Sequence, residues 1–234
     1  MAILADQDTK VIIQGITGRE AASFTKDMLD YGTQVVAGVT PGKQGQAVHG
    51  VPVYDTVRGA LKEHPADASV ISVPPGMVKG AVLEAVLNHL KLLVVVSERV
   101  PRKDVIEFLE AAREQDARVI GPNTLGIISP ERVKLGMAGG PVEDVKKAYT
   151  PGNVGIASRS GGMTTEIANL LTTHGIGQST CIGIGGDPVV GSNFLDLIPL
   201  FDQDPETKAV VLFCEPGGII EESLAELVIS QKIA

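Results

Sequence analysis

Val154-Gly155-Ile156-Ala157-Ser158-Arg159-Ser160-Gly161-Gly162 is a short apolar run that opens into a turn of serine and glycine. The run predicts a buried strand, and beyond it Ile167, Leu170 and Leu171 recur at helical spacing. A strand that turns into a helix through Ser-Gly-Gly aims several free backbone N–H groups at one point. That point is also the positive end of the helix dipole, so it suits a phosphate or a carboxylate. The same residues also read as a simple N-cap at Ser160 with two glycines making the turn. The fold depends on whether this strand–turn–helix unit repeats.

It does, on both sides. Upstream, strands are predicted at 10–14, 34–39, 69–73, 92–96 and 118–120, with a short extended piece at 51–53. Helices fall between them, to about residue 29, at 56–64, up to residue 89 and at 102–115. Downstream, strands 153–157, 179–184 and 208–213 alternate with helices 163–173, 191–201 and 219–232. Such alternation predicts an α/β chain with parallel sheets wound on both faces. Residues 138–152 break the pattern with Gly139-Gly140-Pro141 and Pro151-Gly152 around a charged middle. A first domain, 1–138, a linker, 139–152, and a second domain, 153–234, are therefore expected. A doubly wound unit of three strands is small, so the second domain is expected to be completed by further chain or by another polypeptide.

Composition narrows the function. The chain has 234 residues, 44% of them hydrophobic, enough for a substantial core. Aromatic residues make up 3% and Trp is absent, which argues against base-stacking surfaces. The formal net charge of −8, without a dense basic patch, argues against nucleic acid and anionic membranes as partners. Cys181 and Cys214 sit in apolar runs without metal-ligand spacing, so no metal site and no disulfide framework is expected. With no basic leader at Met1–Asp6 and no membrane-length apolar run, a cytoplasmic protein is expected.

Gly15-x-x-Gly18-x-x-Ala21 is a loose relative of the dinucleotide fingerprint, with Gly15 for the tight turn and Gly18 for the approach of a phosphate. A nicotinamide-binding domain usually places an acid about 20 residues further on, for the ribose. Here the second strand ends Ala37-Gly38-Val39-Thr40, and Lys43 follows on a Pro-Gly loop. A cation there suits the phosphate of NADP or the 3′-phospho-ADP of coenzyme A, although an exposed loop lysine is also common. Pro74-Pro75, Ser97-Glu98 and Pro122-Asn123-Thr124 fall at successive strand ends, where such folds bind ligands.

Taken together, these loops resemble the α subunit of succinyl-CoA synthetase, the ADP- or GDP-forming ligase of the citric acid cycle. The resemblance runs through Gln14–Gly18, Gly38–Lys43, Gly121–Asn123, Ser158–Gly161, Gly177–Thr180, Gly183–Pro188, Gly191–Phe194 and Glu215-x-Gly217-Gly218, in order along the chain. It implies an N-terminal Rossmann-like domain that binds coenzyme A and a flavodoxin-like second domain, incomplete at its C-terminus, that holds a phosphohistidine against a helix start. Thr17, Gly18, Arg19, Glu20, Lys43, Val73, Pro74, Val96, Ser97, Glu98 and Asn123 would line the coenzyme A site. Ser160, Gly161 and Gly162 would cradle the phosphate, and Glu215 would orient the imidazole. A β subunit of the ATP-grasp type, carrying ATP or GTP with Mg, and a small carboxylic acid complete the implied hetero-oligomer.

Two departures from that pattern stand out. The family's phosphorylated His lies in a glycine-rich stretch beyond Glu-x-Gly-Gly, and His49, His64, His89 and His174 all read as structural or solvated. Gly162-Met163-Thr164-Thr165 replaces the Thr-Leu-Thr-Tyr usual in succinate-specific subunits. It resembles the citrate-using relatives, ATP-citrate lyase and citryl-CoA synthetase, as does Lys134–Gly140. Thr165 in place of Tyr would leave room for a bulkier acid. Besides a ligase subunit, a non-catalytic coenzyme A-binding module and an NADP oxidoreductase remain as readings, the last without a proton donor near a hydride site.

Overall fold

The computed structural model describes residues 2–215 and 219–231. In the first half, the elements in order are β1 (Lys10–Gln14), α1 (Arg19–Tyr31), β2 (Gln34–Val39), β3 (Ala47–Val48), β4 (Val51–Tyr54), α2 (Val57–Glu63), β5 (Ala68–Ile71), α3 (Val78–Leu87), β6 (Leu92–Val95), α4 (Arg102–Glu114) and β7 (Arg118–Ile120). Their sheet has the order β3-β4-β2-β1-β5-β6-β7, parallel throughout except for the small β3 edge. Leaving β3 aside, this is the doubly wound Rossmann order, with its switch point between β1 and β5. Every residue of β5 and β6 is buried, and all but Ser69 are apolar, because both faces of these strands are covered. α1 buries Ala21, Phe24, Thr25 and Met28, one helical stripe, and stops at Gly32, whose φ of 100° closes the turn.

The second sheet starts earlier in the chain than the alternation implies. β8 (Gly126–Ser129) and β9 (Val133–Gly136) form a hairpin, and β8 pairs antiparallel with β11 (Gln178–Gly183), Ile127 opposite Ile182 and Ile128 opposite Cys181. Residues 126–136 fall within 1–138 by sequence, yet they extend the sheet of the second half. With α5 (Val142–Ala148), β10 (Pro151–Ser158), α6 (Gly161–Thr173), α7 (Phe194–Gln203), β12 (Ala209–Phe213) and α8 (Ile220–Gln231), the sheet order is β12-β10-β11-β8-β9. β10 lies between β11 and β12, which are parallel to it, as in the first three strands of a flavodoxin-like order. The segment 139–152 is not plain linker, because α5 buries Val145 and Ala148 and packs between α1 and α6. α6 begins two residues before the expected start, since Ser160 caps it, and α7 begins three after, where Asn193 and Asp196 form a capping box.

The two sheets share one core. Ile13, Phe24 and Met28 from the first half belong to the same buried cluster as Ile127, Leu135, Ile182, Phe194 and Phe201. Burying one such phenylalanine stabilises by roughly 2–3 kcal/mol. Inside this seam lies Lys134, wholly buried on β9. Its ammonium donates to the Gly140 carbonyl at 2.5 Å. Its own backbone exchanges two hydrogen bonds with the Thr33 hydroxyl, which donates to the Lys134 carbonyl at 2.8 Å and accepts from the Lys134 amide at 3.1 Å. Burial pushes the Lys134 ammonium down to about 8, against a smaller upward pull from Asp27 on α1.

Candidate functional site

The first candidate site grows out of the β1–α1 turn. Gly15 has φ +84°, and a Cβ there would stand 2.1 Å from the Ser72 carbonyl oxygen, so the close approach of the β1 and β5 ends requires glycine. Gly18 stands at the N-cap of α1 in extended conformation, with no side chain capping the helix. The first amides of α1 are thereby left to a ligand. Beside this turn lies a cleft of about 510 Å³, lined by Gln14, Thr17, Val39, Pro41, Val73, Met77 and their neighbours. It opens at the carboxyl ends of β1, β2 and β5, where the sheet order reverses.

The expected coenzyme A residues distribute unevenly around it. Thr17, Gly18, Val73 and Pro74 line the cleft, and the Thr17 hydroxyl donates to that of Thr40 at 3.2 Å. Arg19 and Glu20 are exposed on the first turn of α1. Lys43 is exposed on the loop after β2, whose shape is held by Asp55: its carboxylate accepts the amides of Lys43 and Gln44 at 3.0 and 3.1 Å. Among the described residues no acid lies within ion-pairing distance of the Lys43 ammonium. Val96 is buried in the core, so only its main chain can serve a ligand. Ser97 staples the loops, donating to the Val73 carbonyl at 2.6 Å and accepting the Val73 amide at 3.1 Å. Glu98 is exposed, 3.5 Å from Arg99.

The second candidate site is the start of α6. The Ser160 hydroxyl accepts the Met163 amide at 3.4 Å, while Ser158 fixes the turn by donating to the Ser160 carbonyl at 2.8 Å. The amides of Gly161 and Gly162 have no intrahelical acceptor, as at any helix start. A Cβ on Gly162 would meet nothing within 4 Å, so this face is open. Ser158 pairs in register with Phe213, so Ser160 and the exposed Glu215 each follow two residues beyond, at the carboxyl ends of β10 and β12. Gly217 and Gly218 of the Glu215 motif lie outside the described residues. Thr165 is one turn further in, and its hydroxyl lies 2.8 Å from that of Tyr149, which burial pushes up above the usual phenol range.

Asp187 joins the two sites. Asn123 donates from Nδ2 to its Oδ1 at 3.0 Å, and Arg159 donates to its carbonyl at 3.0 Å. The Asn123 amide in turn donates to the Ser97 carbonyl at 2.9 Å, so one chain of contacts runs from the first cleft to the cradle. Gly185, with φ +113°, permits this approach, for a Cβ there would stand 2.2 Å from the Pro122 carbonyl oxygen. The histidines stand apart. His49 contacts the Ala22 carbonyl, His64 the Tyr54 hydroxyl, His89 borders α2 at its far end, and His174 closes α6 at the end opposite Ser160. Asp187 lies in a run quoted for its resemblance, but its bridging role follows only from the fold. The placement of Gln14 and Glu84, which also line the first cleft, likewise follows only from the fold.

Comparison with known proteins agrees with this geometry. The family model of a CoA-binding domain matches residues 6–99, and that of a CoA-ligase domain matches residues 157–233. Over 228 residues the chain is 50% identical to the α subunit 2 of an ADP-forming succinate–CoA ligase from Archaeoglobus fulgidus, covering 97% of this chain and 77% of that one. It is 45% identical over 229 residues to a subunit of an ADP-forming sulfoacetate-CoA ligase from an Acholeplasma species, covering 98% of this chain and 76% of that one. Among solved structures, an ATP citrate lyase from Methanothrix soehngenii, in complex with citrate and coenzyme A, superposes with a TM-score of 0.90 at 28% identity. This chain is covered to 99% there but spans only 40% of that longer chain. No helix among the described residues is long and apolar enough to cross a membrane. With both family models matched and such identity along nearly its whole length, the chain belongs to the CoA-ligase family, among the α subunits of the ADP-forming acid–CoA ligases.

Proposed function

We propose that this chain binds coenzyme A in the cleft of its first half and presents a phosphoryl group at the start of α6. It does so as the α portion of a nucleoside-diphosphate-forming acid–CoA ligase. The observation that carries this reading is the contact chain Ser97–Asn123–Asp187–Arg159, which ties two helix starts open to anions into one assembly. The residues present fit coenzyme A. The bare start of α1 suits a diphosphate, the cleft is mostly apolar, and Lys43, on the loop that continues from Thr40 and Pro41, supplies a cation for a further phosphate. When bound, coenzyme A supplies the thiol that accepts the acyl group. Ser160, Gly161 and Gly162 hold the phosphate by their amides, and Glu215 orients the group that carries it.

The acid is a small carboxylate, and the nucleotide, ATP or GTP with Mg, is held by a β subunit of the ATP-grasp type in the cytoplasm. Succinate is favoured by the 50% identity to the α subunit of the succinate–CoA ligase from Archaeoglobus fulgidus, and sulfoacetate by the 45% identity to the Acholeplasma subunit. A larger acid such as citrate is favoured by Thr165 and by the open face at Gly162. Lys43→Glu tests the coenzyme A site by calorimetry. It should weaken coenzyme A more than 3′-dephospho-coenzyme A, by about 1.5–3 kcal/mol for a charge-assisted contact. Equal losses for the two ligands would remove Lys43 from the site.

A further inference from the structure

Gln14 and Glu84 line the first cleft, beside the hydroxyls of Thr17, Thr40 and Ser72. Gln14, at the end of β1, is 3% exposed. Its Nε2 donates to the Ser69 hydroxyl at 3.2 Å and to the Ala81 carbonyl at 3.0 Å. A carbonyl can only accept, so the amide cannot be turned round, and both of its N–H groups are spent. What remains is Oε1, an acceptor, on a residue that lines the cleft. Glu84 stands one turn beyond Ala81 on the same side of α3. Its Oε1 accepts the Val57 amide at 2.7 Å, at the start of α2, which pins the carboxylate. Its second oxygen has no partner among the described residues, and Glu84 also lines the cleft. Gln14 and Glu84 therefore offer the cleft two acceptors and no donor.

Such a pair favours a group with two N–H donors over one that presents an oxygen. The loop that carries Lys43 begins at Thr40 and Pro41, themselves part of the cleft. If Lys43 takes the ribose phosphate, the base beside it lies in this cleft, against Val39, Val73 and Met77. We propose that Glu84 and Gln14 read the exocyclic 6-amino group of the adenine of coenzyme A, an inference that rests on the coenzyme A reading above. Glu84 accepts one N–H and Gln14 Oε1 the other. A 6-oxo purine would set oxygen against oxygen.

Calorimetric titration of the whole chain tests this with coenzyme A, its 6-oxo analogue (hypoxanthine for adenine) and its N6,N6-dimethyl analogue. The wild type should bind coenzyme A on the order of tenfold or more tighter than either analogue. Glu84→Gln keeps an oxygen for the Val57 amide and turns a donor into the cleft. The preference over the 6-oxo form should then vanish or invert. An unchanged preference in Glu84→Gln, or a wild type that binds all three alike, overturns the inference while leaving the coenzyme A site standing. The dimethyl arm needs no variant, so it decides even if Glu84→Gln fails to fold. A wild type that binds none of the three overturns the coenzyme A reading itself.

Discussion

Replacing Lys134 by Met should stabilise the chain at neutral pH and remove a pH dependence. The Lys134 ammonium is wholly buried, hydrogen-bonded to the Gly140 carbonyl, and held at about 8 in place of 10.5. That fall corresponds to roughly 3 kcal/mol of burial penalty for the charged form. Met is close in length and apolar, so it removes the penalty and sacrifices one hydrogen bond of about 1 kcal/mol. Gly140 is half-exposed, and water can serve its carbonyl instead. The variant should be more stable at pH 7 by about 2 kcal/mol. The folded value lies below the unfolded one, so between about pH 8 and 10.5 the native state binds fewer protons than the unfolded chain. Wild-type stability gains from this group as pH rises through that window, by about 2 kcal/mol near pH 9.5. The Met variant should therefore lose its advantage there. Urea unfolding of both proteins at pH 7 and near pH 9.5, followed by far-ultraviolet circular dichroism, reads the difference. A gap between the two that stays constant with pH would refute the reasoning, for it would mean that Lys134 titrates alike in both states.

Gly15→Ala should destabilise by about 3 kcal/mol or more, because the residue is held at positive φ and the new methyl would meet the Ser72 carbonyl. Thermal unfolding with a shift no larger than that of a surface substitution would count against the tight β1–β5 approach. Thr165→Val leaves the buried Tyr149 hydroxyl without its partner and should cost about 1–3 kcal/mol, most of it recovered in the Tyr149→Phe, Thr165→Val double variant. Additive losses in that cycle would show that the two hydroxyls do not couple.

What the sequence showed, it showed through local chemistry. β6 is a continuous apolar run and β1 and β2 carry one after an exposed first residue, and a parallel strand buried on both faces needs little else. Gly15 and Ser160 were legible for the same reason, since a positive φ and an N-cap each select residue type at one position. The hairpin at 126–136 is not legible in the sequence because each of its strands has four residues, too few for periodicity to separate from a loop. Pro130-Glu131-Arg132 at its tip was the available turn signal. α5 was hidden by the glycines and prolines around it, though Pro141 at its start and Glu143 and Asp144 in its first turn are ordinary helix-opening chemistry.

The residues that stayed silent are those whose partners lie far along the chain. Lys134 in Val133-Lys134-Leu135-Gly136 reads as the outward position of an alternating strand. α1, packed on β9 and more than 100 positions away, covers that side and turns an expected surface lysine into a buried one. Asp187 is likewise a loop acid until Asn123, 64 positions earlier, donates to it. Gln14 is a polar residue at the end of a core strand, and only Ser69 and Ala81 decide which half of its amide faces the cleft. Binding to phosphate can rest on main-chain amides and so is written in short motifs. Discrimination between one base and another needs side chains oriented by remote neighbours, and those become readable only once the sheets have closed on each other.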